Sequence, residues 1–361
     1  MTGLADRLAA RTLELVDIPS PSGHEAAIRE RLLALVPSAL EPAYEGDEAY
    51  LFLPAERSGR PLVVLAGHYD TVPAQGNLPG RREDGVVRGL GTSDMKGGLA
   101  VALELVRDLG RPSGPYDLGL LLFGREELPA DRNPLPALFA ECPAVHEVAL
   151  AVLLEPTDLE LQAGCLGNLV ARLTFHGRSG HSARPWLAEN AIARALTGLG
   201  PLLELPARPA VVGGLEFVEV LSVTGLEAGI APNVVPGEAT ATLNFRYAPD
   251  RTPDEAEDHL RALAPVGATL EIVSHAPPGR VATDSPHVRR LRDAGRLELA
   301  PKQAWTNVAD FTAHGIDAVN FGPGSTAHAH RQDELVEVRS LVRAYEVLQR
   351  FLSRPVGDDP A

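Results

Sequence analysis

The sequence predicts an α/β fold with a smaller α+β domain inserted into it. Three observations carry this reading. Apolar runs at 61–66 (PLVVLA), 117–123 (DLGLLLF) and 148–154 (VALAVLL) are short and do not alternate, as in strands covered on both faces. Residues 95–109 (MKGGLAVALELVRDL) have a helical period and are apolar almost all round, the pattern of a buried helix. In the middle of the chain the pattern changes to β-α-β-β-α-β, the split-βαβ order.

Taken in chain order, Leu4, Leu8, Leu13 and Val16 have the spacing of an amphipathic helix, and Asp6, Arg7, Arg11 and Glu14 interrupt it as no signal peptide would allow. The apolar strands and buried helix follow. Residues 169–175 read as a strand, 189–205 as a helix, and the segments near 215–224 and 238–247 as strands. Residues 252–264 open with Thr-Pro-Asp-Glu, a helix-start signal, and 268–273 close the unit as a strand. The expected organisation is therefore one domain from 1–168 and 274–361, with 169–273, about 105 residues, inserted into it. The small-residue and proline-rich stretch 274–283 is the expected return linker, 286–297 and 338–352 are expected helices, and Asp358 to Ala361 an expected disordered tail.

The chain has 361 residues and is 45% hydrophobic, enough for a large core and two domains. Its net charge of −15 argues against nucleic acid and anionic membranes as partners, and a polyanionic substrate would need a local basic patch. Cys142 and Cys165 make no disulfide framework and read as reduced thiols. No apolar run reaches the roughly 18 residues of a membrane span. A cytoplasmic protein acting on a small molecule is the expectation.

The chemistry-bearing residues follow the apolar strands. His68 and Asp70 alternate at one strand end, so both side chains point the same way; a carboxylate there can orient a metal-bound imidazole. Asp94 opens the buried helix after a glycine-rich turn. A helix cap is the plainer reading, but a carboxylate can also bridge two cations about 3.5–4 Å apart. Glu126 and Glu127 follow a strand and point in opposite directions, so one can bind metal while the other shuttles protons. Glu155 ends an apolar strand, where a buried carboxylate needs a partner. His328 and His330 share a late loop, and spacing does not choose between them. His181 lies in the insertion, either as a solvent histidine or as a donor brought in by domain closure.

The combination GHYDTVP, GTSDMKGG, REE, LLEP, GHSARP and AHRQDE, spread over nearly the whole chain, resembles the family of two-metal aminoacylases and carboxypeptidases. Within it, VLLEPTD, GTSDMKGG, HSARPWL, GNLPGRRE and NFGPGSTAHAHRQDE are similar to the branch that removes a succinyl group from diaminopimelate. The resemblance implies a mixed, mostly parallel sheet of zinc-peptidase type and an inserted ferredoxin-like domain serving as lid and dimerisation unit. It implies two divalent cations, zinc first and cobalt as the alternative. His68 and Glu155 would hold one, Glu127 and His330 the other, and Asp94 would bridge them in a turn that often has a cis peptide after the aspartate. His330 is preferred to His328 because Asp333 and Glu334 follow it at the family spacing. Asp70 would support His68, Glu126 would be the general acid/base, and His181 would reach the neighbouring subunit's site to polarise the scissile carbonyl. Asn233 and Arg246 would hold substrate, and Arg178, Arg184 and Arg246 are candidates to pair with a succinyl carboxylate. Arg125 stands where many relatives carry an acid, which implies a less negative local field. The implied activity is hydrolysis of an N-acyl amino acid. Deacetylation of acetylornithine, dipeptide cleavage and a metal-free binding scaffold are the alternatives.

Overall fold

The computed structural model describes residues 3–109 and 114–354; the expected tail at Asp358 to Ala361 lies outside them. The chain forms two compact units. The first is Met1–Gly164, Ala282–Ala300 and Asn307–Ala361; the second is Cys165–Val281 with Pro301–Thr306.

The first unit is built on an eight-stranded sheet. Its order in space is Leu40–Glu45, Ala49–Pro54, Asp117–Phe123, Leu62–His68, Val148–Leu153, Ala318–Asn320, Leu161–Ala163, Leu299–Pro301. The centre is parallel: Leu62–His68 pairs in parallel with Asp117–Phe123 and Val148–Leu153, and Val148–Leu153 with Ala318–Asn320. Antiparallel strands flank it on both sides. This is the α/β sheet that the apolar runs predict, with the mixed pairing and parallel centre that the family resemblance implies. Every residue of Leu62–His68 and Asp117–Phe123 is buried, which explains why neither run alternates.

Helix Gly97–Leu109 is buried from Gly97 to Val106, as its all-round apolar pattern requires. It starts two residues later than the pattern suggests, because Asp94 and Met95 have non-helical φ/ψ and their peptide bond is cis. Gly98 lets this helix close on the sheet. A Cβ there would come within 2.3 Å of the Leu154 carbonyl oxygen. The contact fixes the chain immediately before Glu155. Among the described residues no helix is long and apolar enough to cross a membrane.

The second unit is an antiparallel sheet ordered Arg208–Val212, Leu215–Ala228, Glu238–Tyr247, Gly167–His176, Ala268–Ala276. Ala191, Ala195, Leu199 and Leu202 of helix Ala191–Leu203, with Ala256 and Leu260 of helix Pro253–Leu263, pack against alternate residues Leu169, Ala171, Leu173 and Phe175. Arg208–Val212 is an additional edge strand. Its Pro209 weakens the strand signal and suits an edge position; the Gly213-Gly214 turn after it is the hairpin cue that sequence reading passed over.

One buried ion network belongs to this unit. Glu219, 4% exposed, accepts hydrogen bonds from Arg208 and Arg251 at 2.8–3.1 Å. Burial pushes its carboxyl up, but the two guanidinium groups outweigh burial and hold it below the usual glutamate range. A depressed folded pKa contributes stability above the unfolded value, and that contribution fades as pH falls through the folded value. Glu219→Gln is therefore expected to lower the melting temperature at pH 7, with the deficit shrinking below about pH 4; a pH-independent deficit contradicts the assignment. Gly98→Ala is expected to cost about 1–3 kcal/mol in denaturant unfolding through overpacking, whereas Gly200→Ala, where an added Cβ meets nothing within 4 Å, is expected to cost nothing.

Candidate metal centre

Parallel pairing brings the carboxyl ends of three strands side by side: His68 lies opposite Phe123, and Ala66 opposite Leu153. The residues just beyond those ends are Asp70, Glu126, Glu127 and Glu155. Open α/β sheets form their sites at this edge.

His68 is 1% exposed. Its Nδ1 lies 3.1 Å from the Asp70 carbonyl oxygen and 3.3 Å from Asp70 Oδ1, while its Nε2 lies 3.1 Å from Asp94 Oδ1 and 3.9 Å from Glu155 Oε1. One nitrogen thus faces a supporting residue and the other faces the cluster. The buried Asp70 carboxylate also accepts hydrogen bonds from Ser22 Oγ (2.6 Å) and from the backbone N–H groups of Glu126 (3.1 Å) and Glu127 (3.2 Å). A single carboxylate therefore orients His68 and pins the acidic pair.

On the other side, His330 Nε2 lies 2.8 Å from Glu127 Oε1 and 3.5 Å from Asp94 Oδ2. Asp94 presents one oxygen to each imidazole. The donor atoms form two sets that share it, His68–Asp94–Glu155 and Asp94–Glu127–His330, with all atoms of a set within 4.8 Å of one another. His328 points elsewhere and helps line a 310 Å³ cavity with Asp158, Ser325, Glu337 and Ser340. The geometry separates two histidines that spacing alone left equivalent.

The field of the cluster is negative. Burial pushes the Glu126 carboxyl well above its usual range, and Glu155, Glu127 and Asp94 push it further against the pull of His68. Burial disfavours charge on Asp94, yet hydrogen bonds from His330 and His68 hold it well below the usual range. His330 is pushed up to about 10 by hydrogen bonds to Asp94 and Glu127. Burial opposes a charged His68, but Asp70 and Asp94 raise its pKa well above normal. Surroundings that retain a proton on each imidazole in this way also attract a divalent cation. The imidazole and carboxylate donors suit zinc or a similar ion. Arg125 pairs bidentately with Asp47 at 2.6 and 3.0 Å, so its charge is already matched before it can relieve the acidic pair.

The remaining candidates lie in the second unit. His181 is exposed on the two-residue strand Gly180–His181, paired with Val234–Val235. Its Nδ1 accepts the Ala183 N–H at 3.0 Å, which places the ring proton of the neutral form on Nε2. Asn233 is exposed beside it and accepts the Ser182 N–H on its carbonyl oxygen at 3.0 Å. Arg178 is exposed and pairs with Glu189 at 3.4 Å, and Arg184 is exposed before the turn Pro185–Leu187. Arg246 lies apart from them on Glu238–Tyr247, where its Nε donates to Asn244 Oδ1 at 3.0 Å.

Sequence reading missed the part played by Ser22 and gave Glu334 no role. Ser22 carries no local signal. Glu334 follows His330 and Asp333, and its three backbone contacts to the Asp94 turn are long-range.

Residues 64–354 match peptidase family M20/M25/M40. The chain is 37% identical over 345 residues to a Mycobacterium tuberculosis protein given as a succinyl-diaminopimelate desuccinylase, covering 94% of this chain and 96% of the relative. It is 37% identical over 359 residues to the succinyl-diaminopimelate desuccinylase of Corynebacterium glutamicum, covering 95% of each. Among solved structures it shares its fold with the aminopeptidase PepT of Bacillus cereus (TM-score 0.76, 18% identity, 97% and 98% of the chains covered). It also shares its fold with a dinuclear metal-binding M20 peptidase of Bacillus subtilis (TM-score 0.68, 15% identity, 96% and 97% covered). The chain belongs to peptidase family M20/M25/M40.

Proposed function

We propose that this chain is a metal-dependent amidohydrolase that converts N-succinyl-LL-2,6-diaminopimelate to succinate and LL-2,6-diaminopimelate, a step of lysine and diaminopimelate biosynthesis. The observation that carries the reading is the Asp94 carboxylate, which offers one oxygen to each of two imidazole–carboxylate sets. The names of the desuccinylase relatives supply the substrate.

His68 and Glu155 would hold one divalent cation and Glu127 and His330 the other, with Asp94 shared. Zinc suits the mixed donors and cobalt is the alternative. When bound, such a pair supplies Lewis acidity and makes water nucleophilic near neutral pH, lowering its pKa from about 15.7 toward about 7.

The chain's own residues do the rest. Asp70 fixes the ring of His68 and the backbone of Glu126 and Glu127. Glu126, its carboxyl raised by burial, takes a proton from the attacking water as the new C–O bond forms. It returns that proton to the leaving nitrogen as the C–N bond breaks. His181, with its proton on Nε2, donates to the developing oxyanion, a contribution of about 10²–10³ in rate for one such donor. Arg178, Arg184 and Arg246 are the cations for the succinyl carboxylate, and Asn233 a further substrate contact.

We further propose that the second unit pairs two chains into a homodimer, through which His181 acts on the partner's site. Among the described residues the large exposed hydrophobic side chains all belong to this unit, among them Trp186, Leu196, Leu203, Leu226 and Ile230. The outer edge of Leu215–Ala228 is covered by Arg208–Val212 only as far as Glu219, which leaves a strand edge suited to symmetric pairing. A cytoplasmic location accords with the reading of the buried Cys142 and Cys165 as thiols, and the charge of −15 with neither nucleic acid nor membrane as partner.

The direct test is a zinc-supplemented hydrolysis panel of N-succinyl-diaminopimelate, N-acetylornithine and dipeptides. The succinyl compound is expected to react fastest; faster cleavage of acetylornithine overturns the substrate assignment. Glu126→Ala is expected to lower kcat by at least about 10²–10⁴ while two cations per subunit remain on dialysis. Loss of metal with this variant contradicts its role as proton shuttle. Removing the cations with a chelator is expected to abolish turnover, and added zinc to restore it.

A further inference from the structure

We infer that Glu334 is a positioning residue of the metal centre, gripping the turn that carries Asp94 so that its carboxylate is held in register with His330. The inference rests on reading the cluster as a two-cation site.

Glu334 is 2% exposed. Its carboxylate takes three backbone N–H groups from one turn: Oε1 accepts from Ser93 (2.9 Å) and Asp94 (3.1 Å), and Oε2 from Gly91 (2.9 Å). Its own carbonyl oxygen accepts the Gly89 N–H at 3.1 Å. The turn cannot satisfy these donors as a helix would. Gly91 is left-handed at φ 81, and Asp94 and Met95 lie outside helical geometry. Successive N–H groups in such a turn form an anion-binding concavity. Here the anion is a side chain from the loop that carries His330.

Further bonds tie the His330 loop to the Asp94 turn and to residues 75–77. Ser93 Oγ donates to the Leu335 carbonyl at 2.7 Å and accepts the Ser325 N–H at 3.2 Å. At the outer face, Gln75 Nε2 donates to the His330 carbonyl (3.1 Å) and Asn77 Nδ2 to the Arg331 carbonyl (3.3 Å), but these contacts are exposed. Glu334 and Ser93 are the buried members of the set, and Glu334 is the charged one, its carboxylate met by backbone dipoles. Burial pushes it up to about 7 against the pull of those N–H groups.

Asp94 must offer an oxygen to both donor sets at once. A small rotation of its turn relative to the His330 loop removes one of them. Glu334 is bonded to both segments and is not among the residues of either donor set, so it acts through Asp94 rather than on substrate. In Glu334→Gln the shape is kept, but the new NH₂ faces N–H donors, and donor against donor cannot bond. Glu334→Asp keeps the acceptors and shortens the reach.

The test is calorimetric titration of zinc into chelator-stripped wild-type protein, E334Q and E334D, with apo melting temperatures and steady-state kinetics beside it. Wild type is expected to bind two zinc ions. E334Q is expected to weaken at least one site by about 10–100-fold, the usual cost of losing a residue that orients a metal ligand, and to lower kcat with little change in KM. E334D is expected to fall between the two. Should E334Q fail to fold, E334D is read alone by the same criterion. Variants that melt lower but bind both ions as tightly and turn over as fast per folded molecule overturn the inference. A wild-type protein that binds no zinc overturns the metal-site reading and this inference with it; a normal wild type beside unchanged variants overturns this inference alone.

Discussion

A half-buried carboxylate shared between two imidazoles is the constraint around which the first unit is arranged. Asp94 cannot face His68 and His330 together unless three segments far apart in sequence are held in fixed register. The sheet supplies the first: His68 ends a strand buried on both faces, with no room to shift register. The close approach of Gly98 to the Leu154 carbonyl supplies the second, seating the helix after Asp94 against the strand before Glu155. The laced turn and loop around Ser93 and Glu334 supply the third. The same constraint concentrates negative charge. Asp70, Asp94, Glu126, Glu127 and Glu155 lie close together; burial first, and then the charges of Glu155, Glu127 and Asp94, raise the carboxyl of Glu126. Divalent cations offset that repulsion in a way that imidazoles alone do not, which is the physical case for the proposed metal pair.

The second unit obeys different rules. Its antiparallel sheet hides one face under two helices, so its strands alternate, as Gly167–His176 and Glu238–Tyr247 do. Where the first unit buries its apolar groups, this one exposes several large ones. The contrast accords with the proposed homodimer, in which this unit would meet a second copy of the chain.

Much of this was legible in the sequence, for physical reasons. Strands covered on both faces leave unbroken apolar runs, so the central sheet and the positions of His68, Glu126, Glu127 and Glu155 at its edge could be read directly. The flanking strand Leu40–Glu45 has a single buried residue and leaves no such run. Arg208–Val212 was hidden by its proline. The start of the helix at Gly97 was misplaced by two residues because Met95 and Lys96 are buried and apolar contact continues through the turn, so periodicity did not register the break at Asp94. His328 and His330 stand two apart in one loop, and only the path of the backbone, left-handed at His330, separates them. Ser22 and Glu334 act through contacts with residues distant in sequence, which local patterns do not record.

The central claim is that two cations share Asp94. X-ray absorption on the protein loaded with two equivalents of zinc tests it most directly. The account predicts a metal–metal vector of about 3.5–4 Å, with nitrogen and oxygen neighbours, that disappears in Asp94→Ala. A single isolated zinc, or a pair whose spacing survives the loss of Asp94, would contradict it.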